Sequence, residues 1–244
     1  MNYNWNWGIL LQPSPEGHAS YLQMLFLGVG WTIATGICAW IIALVIGSMV
    51  GIARTLPSKV AERVGFAYVE LFRNIPLVVQ LFLGYFVLPE LVPATWGQWL
   101  KQLQYAPFYT AVIVIGLYMS ARVAEQVRAG INSLPRGQRQ AALAIGLTLS
   151  QSYRYVLLPM AYRLILPPLT SEFLNTLKNT SVALTIGLLE LTSRARAMQE
   201  FSFQVFEAFT VATVIYLVLN LVVVVAMRRL ERSVVVPGYI VGGR

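Results

Sequence analysis

The sequence predicts an all-α membrane protein of about five transmembrane helices, and three observations predict it. Of the 244 residues, 57% are hydrophobic and only 11% are charged, against about 25% charged residues in a soluble domain. So few charges leave too little polar surface to cover a water-soluble fold. The charges are also segregated. Residues 17–53, 74–89, 102–121 and 208–227 hold no Lys, Arg, Asp or Glu, and a membrane-crossing helix needs roughly 20 predominantly apolar residues. Finally, the basic residues gather at the ends of the apolar runs, where positive charge marks the cytoplasmic side.

Taken in order, residues 1–20 contain no Lys or Arg. They lack the basic start of a secretory signal, and an outer N-terminal segment followed by an uncleaved span is expected; His18 reads as a surface residue. The first span lies within Tyr21–Ala53 and is long enough to tilt or to project from the bilayer. The second is expected at about Val64–Leu88, where Pro76 frees a carbonyl and can kink the helix. Leu88 to Pro93, with Trp96 and Trp99 after it, reads as an interfacial outer loop, since Trp is enriched at that depth. The third span is expected at about Phe108–Ala129. The fourth runs at about Tyr155–Leu177, interrupted by Glu172 and Lys178, and the fifth at about Glu207–Met227. A transmembrane domain of residues 21–232 and a tail of residues 233–244 follow from these bounds.

An odd number of spans puts the termini on opposite sides. Arg54, Lys59 and Arg63, the segment from Arg128 to Arg163, and the tail with Arg228, Arg229, Arg232 and Arg244 fall on one side. Lys101, Arg194 and Arg196, with Lys178 near them, fall on the other. The richer side is expected to be cytoplasmic, with the N-terminus outside and the C-terminus inside.

Composition also excludes function classes. The net charge of +8 does not read as a nucleic-acid surface, because the cations flank apolar runs instead of lining one polar face. Cys38 is the only cysteine, so neither an internal disulfide nor a CxxC metal site is available. With one His, one Cys and no Asp, no metal cluster or catalytic triad is expected, and the chain is not read as an enzyme. No GxxxxGK[ST] phosphate loop occurs, so Walker-type ATP binding is not expected of this chain. A self-contained secondary transporter would show paired repeats and midplane ion ligands, and none is visible. A structural or sensor protein would leave the next segment unexplained.

That segment is the longest cytoplasmic connection, about residues 130–154. Pro135 and Gly137 are expected to break the third span's helical pattern. Gln140 to Ile145 then favours helix, with Ala141, Ala142 and Ala144 as strong formers. Gly146 interrupts it, and Thr148 or Ser150 could cap a second short helix. Leu157-Leu158-Pro159 leads back toward the membrane. Two short helices with a glycine joint are the expectation. Small residues would let such an element seat closely in a partner's groove, and its stiffness would transmit a push.

Here the sequence resembles a known family. Gln140-Ala141-Ala142, then Gly146, then Val156-x-Leu158-Pro159 resembles the EAA motif of ABC importer permeases: Glu-Ala-Ala, three residues, Gly, nine residues, Ile, one residue, Leu-Pro. Gln140 stands where Glu is usual and Val156 where Ile is usual. Glu70-Leu-Phe-Arg73-Asn74-Ile-Pro76-Leu-Val-Val-Gln80 looks like the second-span signature of the polar amino-acid permeases. The run from Glu125 to Gln138 looks like their third-span exit, and Lys178-Asn179-Thr180-Ser181 resembles their Lys-Asp-Thr-Ser stretch. Asn4-Trp5-Asn6-Trp7-Gly8 and Arg122-Val-x-Glu125-Gln126-Val-Arg128 resemble the glutamate/aspartate branch.

The resemblance implies a type I, MetI-like transmembrane permease in a bacterial inner membrane. It implies four kinds of neighbour: a dimeric ATP-binding subunit that carries ATP and Mg, a second and similar permease chain, a periplasmic amino-acid-binding protein, and lipid. It implies no cofactor in this chain, and a cargo of glutamate or aspartate; another polar amino acid such as glutamine is the alternative. It places ATPase coupling on Arg136, Gln138, Gln140, Ala141, Ala142, Gly146, Leu147 and Pro159.

Ionisable groups in spans are functional candidates. Glu70 and Arg73 share a helical face and read as a local ion pair or as part of a substrate path. Asn74, Pro76 and Gln80 could line that path or serve interhelical hydrogen bonding. Arg122 could clamp a carboxylate, anchor the cytoplasmic end, or pair with Glu125. Lys178, Asn179, Thr180 and Ser181 offer a cation and hydrogen-bonding groups where cargo would arrive from outside, or Lys178 simply neutralises a helix C-terminus.

Overall fold

Backbone in hydrocarbon finds no water, so each crossing segment must satisfy its own hydrogen bonds as a helix. The computed structural model describes residues 3–17 and 19–234, and among these it contains helices and no strand. His18 and residues 235–244 of the expected tail lie outside the described residues. A 3-10 turn, Trp7–Leu11, precedes α1 (Tyr21–Ala53) and α2 (Lys59–Asn74). Next come α3 (Leu77–Phe82), a π-helical stretch Leu83–Val87, α4 (Leu88–Leu91), α5 (Ala94–Gln102) and α6 (Ala106–Ser133). The chain continues through α7 (Arg136–Ala144), α8 (Leu149–Ser152), a π-helical stretch Tyr153–Leu157 and α9 (Leu158–Asn179). A 3-10 segment Thr180–Ile186, α10 (Leu191–Ser202) and α11 (Val205–Val234) complete it.

Among the described residues, three helices are by themselves long and apolar enough to cross a membrane: α1, α6 and α11. The expected second span is not one helix. Lys59–Asn74 and Leu77–Leu91 pass that test only as a pair, with a break between them. Ile75 and Pro76 are extended there, with ψ of 127° and 139°. Proline disfavours helix in the residue before it and removes a donor, and here the apolar run is cut. Helix α2 exposes Val60, Val64 and Leu71 along one side and carries Lys59, Glu62, Arg63 and Arg73 elsewhere. The expected fourth span is α9, which contains Pro167 and Pro168 as well as Arg163, Glu172 and Lys178; these lower its apolarity below that of the other three. The stretch before the fifth span, whose Arg194 and Arg196 were expected on the outer side, contains α10.

The chain divides into two compact units. The first takes in the residues up to Trp40, Pro76–Gly116 and Asn175–Val222. Its core joins Tyr21, Met24 and Leu25 of α1 to Leu191, Ala195 and Met198 of α10 and to Ala208 and Ala212 of α11. Glu190 is fully buried and caps α10, accepting the backbone N–H groups of Ser193 (2.7 Å) and Thr192 (2.9 Å) and the Tyr216 hydroxyl (2.9 Å). Burial pushes its carboxyl above the ordinary value, and those donors oppose the shift. Arg194 pairs with Glu16, and Asn6 N–H donates to Glu207 at 2.7 Å, which pins the N-terminal segment.

The second unit takes in Ile41–Ile75, Leu117–Leu174 and the residues from Val223. Helices α1 and α6 meet almost backbone to backbone. A Cβ on Gly47 would lie 2.6 Å from Ser120 O, and one on Gly51 would lie 2.7 Å from Ala124 O. The Gly47-x₃-Gly51 spacing is the small-residue device of packed membrane helices. Val69 of α2 packs on Ala121 and Ala124 of the same α6 face, and the Tyr68 and Ser120 hydroxyls are hydrogen-bonded at 2.7 Å.

Candidate functional site

The segment between α6 and α9 is built from local rules. Pro135 stands at the start of α7, where its fixed φ is compatible with a first turn and its missing donor costs nothing. Gly137 was expected to break helix, but it lies inside the first turn of α7, where a glycine is cheap. The side chain of Arg136 lies outside the described residues.

Helix α7 ends at Gly146, whose φ is +88°. Gly146 N–H bonds to Leu143 O at 3.0 Å and Leu147 N–H to Ala142 O at 3.2 Å. Those two bonds define a Schellman end, with a left-handed residue at C′. The spacing Ala142-x₃-Gly146 is therefore the distance from C3 to C′ of that end. Gly187, at φ +87°, closes the segment after Thr180 in the same way, with Leu188 N–H on Ala183 O.

The second short helix starts at Thr148. Its hydroxyl accepts from Gln151 N–H, and the Gln151 side chain accepts from Thr148 N–H at 2.8 Å. This capping box selects Thr148 over Ser150. Ala142 is buried at 4% exposure and turns inward, while Gln140, Ala141, Ala144 and Ile145 face outward. Ile145, at 78% exposure, is an apolar side chain with nothing of its own chain over it. Pro159 is exposed in the first turn of α9.

The loop is bolted to the membrane helices. Tyr153, 6% exposed, donates its hydroxyl to Thr55 O at 2.8 Å and lies 3.1 Å from Thr55 Oγ1, just past the end of α1. A cleft of about 480 Å³ lies beside this bond, lined among others by Leu134, Arg139, Gln140 and Leu143. Next to Thr55 in the chain, Arg54 pairs with Glu125 of α6, and Arg128 reaches the same carboxylate at 2.9 Å. Displacement of α7 and α8 would thus be carried to the ends of both α1 and α6.

The other candidate residues fall into two places. Glu70, Arg73, Asn74, Arg122 and Glu125 belong to the second unit. The expected Glu70–Arg73 pair is replaced by a hydrogen bond from Asn74 Nδ2 to Glu70 at 2.8 Å, because the amide sits one full turn on. The expected Arg122–Glu125 pair is also absent, since Glu125 is taken by Arg54 and Arg128. Arg122 instead meets Glu172 of α9 at 3.9 Å. Pro76, Gln80 and Lys178–Ser181 belong to the first unit, where α3 packs on the 3-10 segment that begins at Thr180. There Thr180 and Ser181 turn their hydroxyls back onto Leu177 O and Lys178 O. They cap the end of α9 more than they offer groups to a ligand.

Sequence reasoning missed Arg54, Thr55, Tyr153, Glu190 and the glycine pair at 47 and 51. Only the glycine pair carried a readable signal, its four-residue spacing; Arg54, Thr55 and Tyr153 depend on partners remote in sequence, and Glu190 adds the remote Tyr216 hydroxyl to its local cap.

Comparison with known proteins adds the following. Residues 43–236 match the family described as the binding-protein-dependent transport system inner membrane component. The chain is 49% identical to the glutamate/aspartate import permease protein GltJ of Escherichia coli, over 98% of each. It is 34% identical to the glutamine transport system permease protein GlnP of Escherichia coli, over 86% of this chain and 93% of that one. Among solved structures it resembles an amino-acid ABC transporter crystallised with histidines, with a TM-score of 0.74 and 30% identity over 87% of this chain and 95% of that one. The inward-facing MetNI methionine ABC transporter matches with a TM-score of 0.71 at 22% identity, over 88% of this chain and 98% of that one, a likeness of fold.

Proposed function

Since the chain belongs to the binding-protein-dependent transport system inner membrane components and is an amino-acid importer's permease subunit, we propose that its cargo is glutamate and aspartate. The observation that carries this reading is the 49% identity to a glutamate/aspartate import permease along 98% of both chains. The glutamine permease is less similar, at 34%.

Such a subunit works with an ATP-binding partner and a substrate-binding protein. In our reading ATP and Mg reside on the partner, a dimeric ATPase that grips the α7–α8 element. Arg136, Gln138, Gln140, Ala141, Ala142, Gly146, Leu147 and Pro159 are the coupling set. The rigid Schellman joint supports this, because a stiff element transmits displacement that a floppy loop would absorb. The stroke runs through Tyr153 to Thr55, and from the adjoining Arg54 to Glu125, so α1 and α6 move with the loop. Gln140 carries no charge, which leaves shape and apolar contact, Ile145 above all, to hold the partner.

The basic ends of the apolar runs support a cytoplasmic coupling loop, an outer N-terminus and an inner C-terminus. One set of about five helices encloses too little for a pathway, so a second, similar permease chain completes it, and a periplasmic binding protein delivers the cargo.

Reconstitution of the full importer in proteoliposomes tests the reading. Binding protein loaded with glutamate or aspartate is expected to stimulate ATP hydrolysis and uptake of the labelled amino acid. Stimulation by a glutamine-loaded binding protein, with none by glutamate, would overturn the cargo assignment.

A further inference from the structure

Between Asn74 and Arg122 the chain carries two charged side chains, Glu90 and Lys101, and they pair with each other. The pair is exposed, at 66% for the glutamate side chain and 49% for the lysine, and an exposed pair adds little to a fold. Both groups keep capacity to spare. Among the described residues, the pair engages one carboxylate oxygen and one of the three donors of the lysine.

Glu90 and Lys101 both line a hollow of about 290 Å³ in the first unit, whose other walls are mostly apolar, Leu88, Leu100 and Leu103 among them. On α6 the hollow touches Ala106, Tyr109, Thr110, Ile113 and Val114. These recur as one face of a helix, and from Ala106 to Ile113 they cover roughly 10 Å of its axis at about 1.5 Å per residue.

Local sequence builds this hollow. Pro89 has no N–H to offer Tyr85 O, so the α-helical ladder cannot continue there. Leu88 N–H bonds back to Leu83 O instead, and the turn widens into the π-helical stretch Leu83–Val87. Gly84 brings that stretch against α6, where a Cβ would lie 2.8 Å from Val114 Cγ2. Gly97 brings α5 against α4, where a Cβ would collide with Pro89 O. The widened turn, α5 and the start of α6 are thus held around a gap that no side chain of theirs fills.

Depth is marked by Trp96 and Trp99 of α5, both exposed, since Trp collects at the level of lipid headgroups. Lys101 lies in the last turn of the same helix, so the ion pair stands among headgroups while the α6 wall runs toward hydrocarbon. An acyl chain gains no hydrophobic free energy by leaving the bilayer for an apolar protein wall. Selection among lipids therefore falls to the headgroup. One cation beside one anion matches a zwitterion, whereas a purely anionic headgroup meets one partner and one opponent.

We infer that this hollow is a binding site for a phospholipid with a zwitterionic, amine-bearing headgroup. The lipid phosphate takes the spare donors of Lys101, its ammonium group takes the spare oxygen of Glu90, and one acyl chain lies along the Ala106–Val114 face. The site does not depend on which amino acid is carried.

The test uses the full importer in proteoliposomes and two photoactivatable probes with the same diazirine-bearing acyl chain, a phosphatidylethanolamine and a phosphatidylglycerol. Labelled positions are located by mass spectrometry. The phosphatidylethanolamine probe is expected to label α6 between Ala106 and Val114 about twofold to fivefold more than the phosphatidylglycerol probe, the scale of an exposed charge pair. Glu90→Gln is expected to erase that preference, and Ala106→Phe, which fills the hollow, to cut labelling by both probes to background. Glu90→Gln alters an exposed side chain, so its result stands even if Ala106→Phe does not fold. Equal labelling by the two probes, a preference that survives Glu90→Gln, or labelling unmoved by Ala106→Phe would overturn the site. So would a photoreactive residue placed at Ile113 that crosslinks to a second permease chain, because the hollow would then be a subunit interface.

Discussion

Replacing Gly146 separates backbone geometry from every other property of the proposed coupling element. Its φ of +88° lies where an L-residue costs roughly 1–2 kcal/mol, with Asn and Asp tolerated better than the rest. A Cβ placed there meets nothing within 4 Å, so the cost is conformational and not steric. Gly146→Val, β-branched and a poor fit to positive φ, bears the full cost, about a 5- to 30-fold loss in the population that keeps the α7–α8 joint. Gly146→Asn bears much less.

The assay is receptor-stimulated ATP hydrolysis together with uptake in proteoliposomes. The Val variant is expected to lose coupled uptake by about that factor, and the Asn variant to stay within about threefold of wild type. The site is exposed and solvated, so insertion and yield are expected to be unchanged in both. If Val and Asn variants couple equally well, or fail equally, the left-handed joint is not what transmits the stroke.

Three further outcomes are expected. Tyr153→Phe removes the hydrogen bond to Thr55 O and is expected to cost about 1 kcal/mol of stability while lowering uptake per ATP; a stability loss with coupling intact would confine Tyr153 to packing. Gly47→Ala drives a Cβ to 2.6 Å from Ser120 O and is expected to cost about 1–3 kcal/mol or more by overpacking, read as a lower thermal midpoint in detergent; a wild-type midpoint would refute the tight α1–α6 crossing. Glu190 has a folded-state pKa above its unfolded value, so its stabilisation is complete below the unfolded value and is lost as pH rises through the folded one. The midpoint of the wild type is therefore expected to fall over that window, and that of Glu190→Gln to stay flatter; parallel pH profiles would refute the assignment.

How legible these features were depends on how local their causes are. The α7–Gly146–α8 element could be read from sequence because a Schellman end and a capping box each involve fewer than seven consecutive residues. The first, third and fifth spans could be read because length and apolarity alone define them. The second span was legible only in part, because hydropathy averages over Pro76 and does not register that Ile75 is extended. The ion pairs misled for a different reason. Spacing along one helix suggests Glu70–Arg73 and Arg122–Glu125, but the actual partners Arg54 and Glu172 are 71 and 50 positions away, and only the packing of helices brings them near. Asn74 shows that even a local pair can lose to a neighbour one full turn on.

The stitched end of α7 has a consequence for the work done in each transport cycle. An element that docks and undocks repeatedly would, if it were disordered when free, have to be ordered again at every turn. For the nine residues of α7 that ordering would amount to roughly 9–18 kcal/mol of backbone entropy. Because its terminal carbonyls are already bonded to Gly146 and Leu147, the helix arrives folded. In the proposed coupling role, the free energy released by a partner ATPase on closing would then go into moving α1 and α6, and release of the element afterwards would be opposed only by the contacts it made.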